Sequence, residues 1–93
     1  MIRPALVIAS LALPAAADSP ESWVAFQAEV AAACSALVTE TGTVSVEVNP
    51  FGSESFGAAI VTVTAEWGSD RMICIFDKTS RKAELTAAFP PEG

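Results

Sequence analysis

Cys34 and Cys74 are the only two cysteines in this 93-residue chain. Two cysteines allow a single intramolecular pairing, and joining them would close a loop of 40 residues. A domain this small buries a thin core and often needs a staple. By the chain-entropy argument, that loop closure contributes about 4 kcal/mol, against a total stability of about 5–10 kcal/mol. Thiol–disulfide oxidoreductases keep their two thiols close in sequence at a helix start, where a thiolate is stabilised. These two are far apart, so the spacing predicts a structural disulfide.

Such a bond fits an exported protein, and the N-terminus reads that way. Arg3 supplies a short positive region, Ala5 to Leu13 an apolar run, and Pro14 a break. Ala15-Ala16-Ala17 then provides small residues before Asp18. We expect residues 1–17 to be a secretory signal peptide cleaved after Ala17, and residues 18–93 to form one domain located in the periplasm. The apolar run falls short of the roughly 20 residues that span a bilayer, so no membrane span is expected after cleavage.

Without Arg3 the formal charge moves from −6 to −7. Nucleic acid and anionic lipid both demand clustered Lys and Arg, so neither is expected as a partner. An acidic surface favours a basic protein partner or simply keeps the chain soluble.

The mature part begins as a helix. Ser19 is placed to cap it, Pro20 suits its first position, and Glu21 complements its positive end. Trp23, Phe26, Val30, Ala33, Cys34 and Leu37 recur at helical spacing. Gly42 suits a C-terminal stop, giving a helix over about 20–40. Period-two alternation then predicts strands at about 43–49, 58–67, 71–77 and 81–89. Val44, Val46 and Val48 share a face in the first, and Ala59, Val61, Val63, Ala65 and Trp67 in the second. In the third, Met72, Cys74 and Phe76 oppose Ile73 and Ile75. In the fourth, Ala83, Leu85, Ala87 and Phe89 point inward. The expected fold is α+β: one N-terminal helix packed on a four-stranded antiparallel meander and tied to its third strand by Cys34–Cys74. The uncovered face would carry Thr62, Thr64, Glu66, Lys82, Glu84 and Thr86 with Ile60, Ile73 and Ile75.

Chemistry is sparse. The chain has no His and no Tyr, and it carries neither a phosphate-cradling glycine loop nor a nucleophile elbow. Glu47 and Glu66 fall on outward faces of neighbouring strands, a geometry that glycosidases also use, but with no cleft or apolar pocket in the pattern they read as solvated surface acids. Asp70 and Asp77 lack the spacing of a calcium loop. No catalytic residue, metal or cofactor is expected, and the chain does not read as an enzyme. Two surfaces remain. Phe51 and Phe56 bracket a Gly- and Ser-rich loop, where they either present a binding surface or fold back over the core. Ile60, Ile73 and Ile75 either mark a partner site or homodimer face, or are scattered apolar residues of an ordinary surface.

The segment Arg71-Met72-Ile73-Cys74-Ile75-Phe76-Asp77-Lys78-Thr79-Ser80-Arg81-Lys82-Ala83-Glu84-Leu85-Thr86, together with Cys34, resembles small exported proteobacterial proteins built from a helix, a sheet and one disulfide. That group has no assigned activity, so the resemblance implies a periplasmic setting and no catalytic residues. The expectation is therefore a non-enzymatic domain that binds a protein partner. The alternative is an inhibitor of an extracytoplasmic hydrolase, a lysozyme or a protease, presented through the loop.

Overall fold

The computed structural model describes residues 19–90, so the expected signal peptide lies outside the described residues. Helix α1 runs Pro20–Ser35 and is followed by β1 (Thr43–Val48), β2 (Phe56–Ala65), β3 (Gly68–Asp77) and β4 (Ala83–Leu85). The four strands form one antiparallel sheet in the order β1-β2-β3-β4. The helix covers one face. This is the expected α+β meander, and Cys34 of α1 is bonded to Cys74 of β3 with their Cα atoms 5.9 Å apart.

Local chemistry starts the helix as expected. Ser19 is extended, and its Oγ accepts from the Ser22 N–H at 3.1 Å. Pro20 occupies the first turn, where an N–H would lack a partner. Phe26, Val30 and Cys34, four residues apart, form the buried stripe. They meet Ala59, Val61 and Val63 of β2 and Met72, Cys74 and Phe76 of β3 in one core.

The helix stops earlier than its pattern suggests. The N–H of Leu37 bonds the Cys34 carbonyl and that of Val38 bonds the Ser35 carbonyl, both at 3.1 Å. These tighter turns swing Val38 onto the core. The β-branched Val38, Thr39 and Thr41 offer little propensity to continue. Leu37 therefore leaves the stripe and is exposed. Gly42 does not end the helix either. It opens β1, where a side chain would meet the Thr64 carbonyl oxygen at 2.7 Å.

Strand ends also differ from expectation: β2 begins at Phe56, two residues earlier, which takes Phe56 and Gly57 out of the expected loop, and β4 is confined to Ala83–Leu85. Ala65 pairs with Gly68, so Glu66-Trp67 is the hairpin turn and residues 68–70 are strand. Gly68, the first residue of β3, has φ 129°, a backbone conformation that favours glycine. Trp67 consequently sits at the turn and is exposed, not inward. In β4 the alternation slips. Ile73 accepts from the Thr86 N–H but donates to Thr86 Oγ1, and Arg71 accepts from the Phe89 N–H. Two steps along β3 thus match three along the last segment, a β-bulge. The bulge turns Ala88 toward the core in place of Ala87. Phe89 goes outward, where the Arg71 guanidinium lies 5.4 Å from its ring centre.

At Gly57 the helix packs tightly against the sheet. A Cβ there would lie 2.9 Å from Phe26 Cζ and 3.1 Å from Val30 Cγ2, both on buried side chains. Gly57→Ala is expected to destabilise the fold by about 1–3 kcal/mol through overpacking, read as a lower urea midpoint at unchanged slope. For the disulfide, a Cys34→Ala/Cys74→Ala double variant should lose about 4 kcal/mol. That corresponds to a drop in Tm of roughly 15–30 °C for a domain of this size. A melting curve unmoved by the substitution or by reductant would contradict a structural role.

Candidate functional site

The face of the sheet opposite α1 holds the candidate site, and its geometry follows from register. Residues 56, 58 and 60 of β2 point away from the helix, because Gly57, Ala59 and Val61 point toward it. On β3 the outward residues are Ile73 and Ile75. Pairing places Ile60 opposite Ile73 and Ala58 opposite Ile75, with Phe56 beside them opposite Asp77. The five apolar side chains make one strip across the two central strands. Phe56 is 45% exposed, Ile75 41% and Ile60 36%, and Ile73 is half-buried.

One end of this strip, Phe56, Ala58 and Ile75, lines an open groove of about 850 Å³. Ala58 and Ile75 form its base and Phe56 one wall, while Asp77, Lys82 and Glu84 stand at the rim. A smaller depression of about 250 Å³ adjoins it through Ala58 and Asn49, bordered by Ile60, Ile73 and Glu47. The combined rim carries three carboxylates and one ammonium.

The structure separates the two loop phenylalanines. Phe56 belongs to the strip. Phe51 lies on the helix side, edge-on to Trp23 with ring centres 5.0 Å apart, and is 56% exposed. The intervening loop is held from several directions. Lys78 Nζ donates to the carbonyls of Phe51 (2.9 Å) and Ser53 (2.7 Å) while lying 5.4 Å from the Trp23 ring centre and 5.0 Å from that of Phe26. Asn49 Oδ1 accepts from the N–H groups of Phe51 and Gly52, and Gln27 Nε2 donates to the Pro50 carbonyl. Ser53 exchanges hydrogen bonds with Phe56. The groove wall is thereby built rather than draped.

Sequence reasoning had not singled out Lys78, Asn49 or Ala58. For Ala58 the signal was available: extending the period of two backwards from Ile60 reaches Ala58 and then Phe56. For Lys78 no local pattern announces that its ammonium will cross to a loop more than twenty residues earlier in the chain.

The remaining carboxylates do not assemble a reactive pair. Glu47 stands opposite Ile60, whereas Glu66 lies in the far turn beyond Ala65; the two are separate, exposed surface acids. Glu40 is pushed above its ordinary pKa by lost hydration, then by the charge of Asp70 and a hydrogen bond with it. Asp70 pairs with Val63 near the β2–β3 turn, at the other end of the sheet from the groove. Among the described residues, no group of three or more His, Cys, Asp or Glu side chains is placed to hold a metal ion. Arg81, at φ 65°, forks onto Glu29 of α1 and lies over the Phe76 ring at 5.3 Å. So exposed a pair contributes at most about 1 kcal/mol.

Asp77 shapes the β3–β4 turn at the groove rim. Its Oδ1 accepts from the N–H groups of Thr79 (2.8 Å) and Ser80 (3.0 Å). The Ser80 bond first, then that of Thr79, hold its pKa below the ordinary 3.8. A depressed pKa means the folded state favours the carboxylate, so this stabilisation is present above pH 3.8 and is lost as pH falls through the folded value. Asp77→Asn should therefore melt lower than wild type at neutral pH, and the gap should close in acid. A gap that stays constant down to the acid transition would contradict the assignment.

Comparison with protein-family models, with curated proteins and with solved structures returns no match to this chain.

Proposed function

We propose that this is a small exported, disulfide-stapled domain that acts without catalysis, by binding a protein partner in the periplasm through the strip Phe56, Ala58, Ile60, Ile73 and Ile75. The observation that carries the reading is the continuity of that strip on the face α1 leaves open. An apolar centre with a charged rim is the anatomy of a protein-binding patch. The acidic bias of the rim favours a partner that surrounds its own apolar contact with Lys or Arg.

Two further features support it. A buried disulfide and the lack, among the described residues, of a helix long and apolar enough to cross a membrane are compatible with a protein working outside the cytoplasm. The groove carboxylate with a shifted pKa, Asp77, is held ionised, which suits salt-bridging at a rim and not proton donation.

The test is photo-crosslinking in intact cells of the source organism from an unnatural side chain at Ile75, with Trp67 at the distant turn as control. A discrete adduct from position 75 alone is expected. Ile60→Thr/Ile75→Thr preserves β-branching and should change stability by less than about 1 kcal/mol, yet should reduce the adduct about tenfold or more. Equal labelling from both positions, or none from position 75, would sink the proposal.

A further inference from the structure

The two edges of this sheet are built differently. At β4 the paired stretch is only Ala83–Leu85, the Thr86 bulge interrupts the ladder, and Pro90 follows. Short length, a bulge and proline are the devices that blunt an edge against further pairing. At β1 the paired strand is twice as long and no bulge interrupts it, although Pro50 follows two residues beyond its end. Thr43–Val48 pairs with β2 in unbroken register and contains no proline, no lysine and a single charge, Glu47.

The hydrogen-bonding phase of that edge can be read directly. The Asn49 N–H bonds the Ala58 carbonyl at 2.8 Å, so Asn49, Glu47, Ser45 and Thr43 are the residues bonded to β2. Val44, Val46 and Val48 therefore aim their N–H and C=O groups at the free edge. Among the described residues nothing accepts or donates there.

We propose that a second copy of this chain pairs with β1 across a two-fold axis at Val46, extending the two sheets into one. The strand is self-complementary in that register. Val46 meets Val46 of the second copy, and Val44 meets Val48 of the second copy, joining the outward backbone groups of both strands. The valines lie on the helix side, where Val44 is left 38% exposed in the single chain and gains an apolar neighbour in the pair. On the other face Glu47 falls opposite Ser45 of the second copy. The register centred one residue later would set the two Glu47 carboxylates face to face, which disfavours it. A basic or peptide partner is not needed to satisfy this edge; its own sequence does so. The axis is separate from the apolar strip, so the dimer presents two copies of that surface.

The experiment is sedimentation equilibrium of the disulfide-bonded protein with amide exchange measured at low and high concentration. An edge contact of this size is a weak interface, so a concentration-dependent dimer in the micromolar range or above is expected. When nine-tenths of the chain is dimeric, exchange at Val44, Val46 and Val48 should slow about tenfold relative to dilute protein. Val46→Pro removes an N–H that β2 does not use, and should leave the fold and abolish the dimer. Ala83→Pro at the opposite edge should leave the dimer intact. A monomer at all concentrations would overturn the proposal, as would a dimer whose three valine amides gain no protection. The exchange measurement needs only wild type, so a misfolded Val46→Pro variant would not protect the idea.

Discussion

The seam between Cys34 and Cys74 is the constraint on which the rest of the molecule depends. Both residues are completely buried, and the bond joins the last turn of the helix to the centre of β3. It sits at the end of the stripe Phe26, Val30 and Cys34, so the same helix face that supplies the core also supplies the staple. The bond fixes which side of β3 turns inward. Since side chains alternate along a strand, Met72 and Phe76 must accompany Cys74, and Ile73 and Ile75 must face away.

That parity propagates through the ladder. Each outward residue of β3 sets its partner on β2, which brings Ala58 and Ile60 beside the isoleucines and carries Phe56 along. A one-residue slip anywhere between would have buried this strip and exposed the valines of β2. The groove is thus a consequence of core packing, not a feature added to it. Its wall is completed by Lys78, whose ammonium satisfies two loop carbonyls over the faces of Trp23 and Phe26. Cation–π attraction and charge-assisted hydrogen bonds act together at one atom there, tying loop, helix start and β3–β4 turn into one corner.

The open face and the open edge pose different demands. Apolar side chains on the face ask for shape and apolar area from a partner. Backbone groups on the β1 edge ask only for another strand, and the Val-x-Val-x-Val pattern of β1 answers with itself. The blunting of β4 and the bareness of β1 give the sheet a direction in which it can grow and one in which it cannot.

Much of this was written in local pattern. Helix capping by Ser19 and Pro20, the buried helical stripe, strand order, the inward face of β3 and the disulfide all follow from periodicities of 3.6 and 2 plus the chemistry of a few residues. The misread positions share a cause. Leu37, Trp67, Ala87 and Phe89 lie where an element ends or bulges, and there the next backbone hydrogen bond is chosen by a neighbour in space. Thr86 shows this plainly: its hydroxyl replaces a carbonyl in the ladder, and every side chain after it changes sides. The sequence by itself determined which residues form the core, because burial there is a matter of period and hydrophobicity. Only the tertiary structure decided that Phe51 and Phe56 part company, that Lys78 anchors the loop between them, and that the β1 edge is left unpaired among the described residues. Those outcomes rest on register and on contacts between residues distant in the chain, which no local spacing encodes.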